Sequence, residues 1–146
     1  MENKRHTRRR SREIAIQILY ELDMRPDANY ESAIALYPTK DEDIKVVEYT
    51  RELLKGIDER SDEIADILRE NIIGWRPDRM VAVDKAAITL ALYEGILSEM
   101  VPVSVAISEA VELAKIFGTA ESGRFVNGVL GRIARSGNNT NTQNND

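Results

Sequence analysis

The sequence predicts an all-α protein with six or seven helices. Apolar residues recur three or four positions apart through most of the chain, which is the spacing of one helix face. No segment shows the sustained alternation of apolar and polar residues that marks a half-buried strand. Prolines and glycines stand where the apolar stretches end, as they do at helix boundaries. At 146 residues the chain is long enough for one domain with a substantial core.

The N-terminal half contains four predicted helices, each bounded by a proline, a glycine or an acidic run. The acidic run Asp41–Asp43 favours a helix start, because carboxylates are stabilised at the positive end of the helix dipole. The predicted spans are 14–22 before Pro26, 30–36 before Pro38, 44–57 with a break marked by Gly56 and Asp58, and 64–72 before Gly74.

The C-terminal half contains three more predicted helices. The longest apolar stripe lies within residues 78–100, the next face covers 103–117 and ends at Gly118, and the last helix runs from about 120 to 134. Asn127-Gly128 is a common hairpin sequence, but helical spacing surrounds it. We therefore expect Gly128 to mark a close approach of two helices.

The chain divides into three predicted parts. Residues 1–12 form a basic arm that leads into the first helix, and residues 13–135 form a single helical domain. Residues 136–146 are rich in Asn and Thr and contain no apolar side chain, a composition that predicts disorder.

Charge is distributed unevenly along the chain. The first twelve residues carry a formal charge of +5, and the remaining 134 carry −10. A dense basic segment on an otherwise acidic body is typical of a phosphate contact. Arg5, Arg8, Arg9 and Arg12 would share one face if the first helix extended back into the arm. Arginine contacts phosphate with two nitrogens and stacks on bases, so the arm predicts RNA binding.

Enzymatic chemistry finds little support in the sequence. The chain has no cysteine, and its only histidine, His6, lies in the basic arm. Thiolate and histidine-based catalysis, metal motifs and a bound cofactor are therefore not expected. We interpret Glu109 and Glu112, and likewise the run 41–43, as solvated charges. The lack of cysteine and of an apolar leader predicts a cytoplasmic protein without a membrane anchor.

Three stretches of the chain form recognisable motifs. The first two are Arg9–Tyr20 and Trp75–Met80, the latter followed by Val83–Lys85 and Ala91–Glu94. The third and most specific is Val101–Gly118 followed by Ser122–Leu130. Together they resemble the NusB family of bacterial transcription antitermination factors, over about residues 8–134 and in the family's order.

The resemblance implies a compact bundle of helices in two small subdomains. It also implies a binding function without catalysis. NusB-like proteins bind the single-stranded boxA element of nascent ribosomal RNA together with NusE, a small-subunit ribosomal protein. The assembly helps RNA polymerase to transcribe processively through terminators.

The resemblance also assigns roles to individual residues. Asp84 matches an acidic position on the partner-binding surface. Tyr20 matches an aromatic residue on the RNA side, where a ring can stack on a base; an ordinary half-buried tyrosine is the alternative. For Asp84 the alternative is a solvated helix charge. The full set of implied RNA contacts is Arg5, Arg8, Arg9, Arg10, Arg12, Tyr20, Lys115, Glu121, Arg124 and Phe125.

Two other functions are compatible with the sequence. Ribosomal RNA cytosine methyltransferases can carry a NusB-like RNA-binding domain, although that activity needs a cofactor-binding domain with a Gly-rich loop. Alternatively, the protein is a helical homodimer whose basic arm is incidental. Affinity for RNA that falls steeply with salt would separate a functional arm from an incidental one.

Overall fold

The computed structural model describes the backbone of residues 4–74, 76 and 80–144, and the side chains between residues 6 and 137 within those ranges. The described residues form seven α-helices and no strand, which confirms the predicted all-α fold. The helices are α1 (Lys4–Met24), α2 (Tyr30–Leu36), α3 (Ile44–Glu59), α4 (Ser61–Asn71), α5 (Ala82–Ala91), α6 (Val103–Phe117) and α7 (Ser122–Asn144), and a π-helical segment (Leu92–Leu97) continues α5.

Two of the predicted helix starts are fixed by side-chain caps. Asn29 accepts a hydrogen bond from the backbone N–H of Ser32 at 2.8 Å and so caps α2. Asp43 accepts one from the N–H of Lys45 at 2.8 Å and caps α3. Such caps satisfy backbone donors that have no partner inside the helix, so the polar residues before each apolar stretch set its start.

The break predicted at Gly56 and Asp58 is wrong, because α3 continues to Glu59. Gly56 is buried, and a Cβ atom there would overlap the ring of Tyr93. The glycine therefore allows α3 to approach the π-helical segment. The break falls instead at Arg60, between α3 and α4.

The helices pack as two groups around one continuous core. The first three helices contact one another, and so do α5, α6 and α7, whereas α4 lies against α3 and α7. The contact between α1 and α5 joins the two groups. Helix α5 is buried along most of its length, including Ala87, Ile88 and Leu90. Helix α1 packs on this central helix, and side chains in its first half reach the π-helical segment and α6.

The π-helical segment turns a carboxylate toward the core. Glu94 is 1% exposed, and Gly95 lies so close to α6 that a Cβ atom there would be 2.5 Å from the Cβ of Ala106. Such segments are rare and often occur at functional sites. Here the wider turn places Glu94 against the basic helix α1.

The last helix differs from the sequence prediction at two places. Gly128 does not mark a close helix approach, because it is exposed and a Cβ atom there would have no atom within 4 Å. The helix continues to Asn144 and so enters the polar segment 136–146. The disorder of that segment stays a prediction.

Candidate nucleic-acid interface

The basic arm is helical from the first residue that the structure describes. Helix α1 begins at Lys4 and has no acidic residue in its first turn. The arginines at 8, 9, 10 and 12 therefore lie within its first three turns. Cations near a helix N-terminus are unfavourable because of the helix dipole. Carboxylates of the folded chain, water or a ligand can stabilise this charge.

Arg12 is buried and forms ion pairs inside the protein. It is 3% exposed, and its Nε donates to Glu94 Oε1 at 2.8 Å. Glu109 Oε2 lies 3.8 Å from Arg12 Nη1. The hydroxyl of Tyr49 donates to Glu94 as well, and burial together with this hydrogen bond raises the pKa of Tyr49. The structure thus gives Arg12 a bracing position between helices and does not place it at the surface.

Arg9 and Arg10 lie at the surface but are paired with carboxylates. Arg9 contacts Glu109 through Nε at 3.2 Å and Nη2 at 3.0 Å. Arg10 donates to Glu42 at 2.8 Å and to Glu13 at 3.0 Å. These hydrogen bonds raise the pKa of both arginines. A phosphate that binds either guanidinium must share it with the carboxylate or displace the carboxylate.

Arg8 stacks on an aromatic ring. Its guanidinium carbon lies 5.1 Å from the centre of the Tyr49 ring, within the range of a cation–π contact. Arg8 also lines a groove of about 510 Å³ between α1 and the start of α6, with Val101, Ser104 and Ser108 among the other walls. The stack orients Arg8 without neutralising its charge.

The second half of α1 borders an apolar groove with aromatic walls. Tyr20 is 42% exposed and Phe117, at the end of α6, is 39% exposed. Both line a groove of about 540 Å³, together with Tyr37 and Met24. We call this the Tyr20 groove. Exposed rings beside apolar surface are suited to stacking on an unpaired base. Sequence reasoning placed Phe117 only on a core-facing stripe and missed its exposure.

The remaining predicted contacts lie around the turn between α6 and α7. Glu121 and Arg124 are exposed, and Phe125 is 37% exposed. Lys115 is exposed and lies 3.4 Å from Glu112, and its aliphatic chain covers Gly123. The backbone of Arg5 belongs to α1, but its side chain lies outside the described residues.

Asp84 is buried at the start of α5. It is 5% exposed, and its Oδ1 has no hydrogen-bond partner among the described atoms. Burial raises the pKa of Asp84, and a hydrogen bond from the Ser122 hydroxyl acts in the opposite direction. The alternative of a solvated helix charge is therefore wrong. Asp84 instead connects the start of α5 to the start of α7.

Two acidic groups that sequence analysis interpreted as solvated contact the arginines. Glu109 is 8% exposed and Glu42 is partly buried, and they bind Arg9 and Arg10. Glu112 is exposed, as expected. Opposite charges separated by 32 and 100 positions give no local pattern, so only the fold shows these pairs.

The described residues offer no metal site and no membrane span. No group of three or more His, Cys, Asp or Glu side chains in this part of the chain could hold a metal ion. None of the helices described here has the length and apolar character needed to cross a bilayer.

Comparison with known proteins agrees with this architecture. A sequence model of the NusB family matches residues 9–135. The chain belongs to the NusB family. It is 40% identical to the transcription antitermination protein NusB of Symbiobacterium thermophilum, over 88% of this chain and 90% of that protein. The structure of T. maritima NusB is similar to this one with a TM-score of 0.83 and 34% identity, over 92% of this chain and 93% of that one.

A second similar structure was solved with partner molecules bound. It contains the antitermination factors NusB and NusE in complex with double-stranded RNA. This chain is similar to its NusB with a TM-score of 0.79 and 25% identity, over 90% of this chain and 98% of that one. The predicted family and fold are confirmed. The NusB relatives are transcription antitermination proteins, which also confirms the expectation of a non-enzymatic factor.

Proposed function

We propose that this protein binds the single-stranded boxA element of nascent ribosomal RNA together with NusE. In this role it joins the antitermination complex of RNA polymerase in the cytoplasm and promotes processive transcription. The NusB relatives support the general function, and the solved complex of NusB with NusE and RNA supports these two classes of partner.

The observation that carries the proposal is the combination of basic and aromatic side chains along one helix. Arg8, Arg9 and Arg10 lie in the first half of α1, and Tyr20 lies in the second half. We call these four residues the α1 track. Phosphates bind the arginines, and an unpaired base stacks in the Tyr20 groove. Single-stranded RNA is commonly bound in this way, by a basic surface with aromatic platforms beside it.

The structure changes the role proposed for Arg12. A guanidinium that is 3% exposed and paired with Glu94 is not available to a phosphate. Arg12 therefore holds α1 against the π-helical segment and so positions Arg8 and Arg9. Arg5, Lys115, Glu121, Arg124 and Phe125 remain proposed RNA contacts.

NusE binding is proposed to involve the start of α5. Asp84 is too buried to be a broad contact surface on its own. It supports the partner surface by fixing the start of α5 against Ser122 of α7. A change at Asp84 is therefore expected to act on NusE affinity through helix placement.

The test is a salt-titrated binding assay with boxA RNA and a scrambled RNA, each with and without NusE. About three to five phosphate contacts give a slope of log affinity against log salt of roughly −2 to −3.5. We expect a preference for boxA that grows when NusE is added. Equal binding to both RNAs that is indifferent to NusE would contradict the proposal. Sedimentation of the free protein would then test the alternative of a homodimer with an incidental arm.

A further inference from the structure

A second basic surface lies on α7. Its arginines are too widely spaced along the sequence to form a basic cluster there. Arg124, Arg132 and Arg135 line a groove of about 410 Å³ with Phe125 and Ile73 at its sides and Gly128 at its floor. We call it the α7 groove. None of its described lining residues is acidic, although the chain carries a net charge of −5.

The three arginines differ from most others in having no carboxylate partner. Within the described part of the chain, the ion pairs of arginine involve residues 9, 10, 12, 25, 51, 60 and 69. Arg124, Arg132 and Arg135 take part in none of these pairs. Unpaired guanidiniums beside one another repel, and an anion in the groove would relieve that repulsion.

Helix spacing explains how the charges converge. Arg124, Gly128 and Arg132 follow each other at intervals of four residues, and Arg135 is three further on, so all four lie on one face. Gly128 has open space above it, which leaves the helix surface between two arginines free for a ligand. Arg132 donates to the carbonyl of Asn71 at 3.3 Å. That hydrogen bond satisfies a backbone carbonyl at the end of α4 and fixes one side of the α7 groove.

A short segment of chain connects the Tyr20 groove to the α7 groove. Phe117 forms part of the Tyr20 groove and is the last residue of α6. Only residues 118–121 separate it from α7, whose first turn carries Arg124 and Phe125. A strand that stacks a base beside Phe117 can therefore continue across this turn onto α7.

We propose that Arg132 and Arg135 extend the RNA-binding surface beyond Arg124 and Phe125, so that the α7 groove binds one or two further phosphates of the same single-stranded RNA. This inference rests on the proposed function, because it extends the path of that RNA. It adds Arg132 and Arg135, to which the family resemblance assigns no role. Charge complementarity and continuity with the α1 track favour RNA over an acidic protein segment as the occupant.

The sharpest test places a carboxylate on the groove floor. Gly128→Glu puts an acid one helical turn from both Arg124 and Arg132, while Gly128→Gln has the same size and no charge. A Cβ atom at this position meets no atom of the protein, and both new residues favour helix over glycine. The two variants are compared with two boxA RNAs, one of about 8 nucleotides and one of about 20 with boxA at its centre.

For Gly128→Glu we expect affinity for the long RNA to fall about tenfold and its salt slope to lose about 1. The short RNA should lose much less affinity, because it reaches Arg124 but not Arg132 or Arg135, and Gly128→Gln should match the unchanged protein on both RNAs. Arg135→Gln is a second test variant, and it leaves the hydrogen bond between Arg132 and Asn71 in place. Arg69→Gln is its control, because it removes a positive charge at an exposed, paired position. Circular dichroism checks that each variant is folded.

Several results would overturn the inference. These are equal affinities of Gly128→Glu and Gly128→Gln for the long RNA, equal losses on the short and long RNA, or equal losses for the changes at 135 and 69. A loss confined to protein-partner binding would assign the groove to an acidic protein surface. If the unchanged protein bound neither RNA, or if removing Arg8, Arg9 and Arg10 had no effect, the proposed function itself would fail, which is a different result.

Discussion

The two basic helices of this protein use arginine in opposite ways. On α1 the arginines are close in sequence, and Arg9, Arg10 and Arg12 are all paired with carboxylates of the folded chain. On α7 they are spread over twelve positions, and Arg124 and Arg135 line an open groove whose described walls hold no acid. The density of arginines along the sequence therefore does not show how much positive charge is available to a ligand.

The difference has a physical cause in how each helix is covered. Arginines of α1 reach the π-helical segment and α6, which supply Glu94 and Glu109. Among the described residues, the face of α7 that carries its arginines borders the end of α4 and the two residues after it, which supply no carboxylate. A buried guanidinium such as that of Arg12 needs carboxylates in place of water, whereas an exposed one is solvated by water. The α1 track is consequently preorganised and partly neutral, and the α7 groove is exposed and fully charged.

The largest effect is expected from breaking the buried pair beneath α1. Changing Glu94 to Ala leaves Arg12 buried without its main partner and removes the acceptor of Tyr49. Such a loss costs about 3–5 kcal/mol of unfolding free energy. Urea denaturation measures it, and Arg124→Gln, on the exposed helix, should change stability by less than about 0.5 kcal/mol. A small effect at Glu94 would show that Arg12 reaches water and could serve as an RNA contact after all.

The next effect concerns binding along the α1 track. Replacing Arg8, Arg9 and Arg10 together by Gln should weaken boxA binding by about 100-fold, or about 2.7 kcal/mol, with little change in helicity. The matched control changes Arg51, Lys55 and Arg69 to Gln, three exposed cations that line neither the Tyr20 groove nor the α7 groove. Fluorescence anisotropy at fixed salt measures both. Similar losses for the two triple variants would indicate a general charge effect and remove the α1 track from the mechanism.

The sequence predicts the features that depend on neighbouring residues. It does not predict those that depend on contacts between residues far apart in the chain. The helices follow from local spacing and caps, and the span of α2 is predicted to the residue. The family and the all-helical fold likewise follow from motifs in the chain. The break at Gly56 is predicted wrongly because its reason is a distant ring, that of Tyr93.

The candidate site shows the same division. The position of arginines on α1 is visible in the sequence, but which of them face a ligand is not. Arg12 and Arg9 are three residues apart, yet one is buried beside Glu94 and the other is exposed. Their partners are 82 and 100 positions away. Only packing brings these charges together, and the isolated arginines of α7 gain significance in the same way.

The smallest effect is expected from removing a carboxylate that pairs with an arginine of α1. Glu109 holds Arg9 in the free protein, so it competes with phosphate for that guanidinium. Changing Glu109 to Gln should raise boxA affinity about fivefold, or about 1 kcal/mol, and make the salt slope steeper by up to about 0.7. Glu52→Gln is the control, since it removes an exposed acid of α3 that, among the described residues, pairs with none of the proposed RNA contacts. Weaker binding by the Glu109 variant, measured in the same titration, would mean that Glu109 orients Arg9 for the phosphate and does not compete with it.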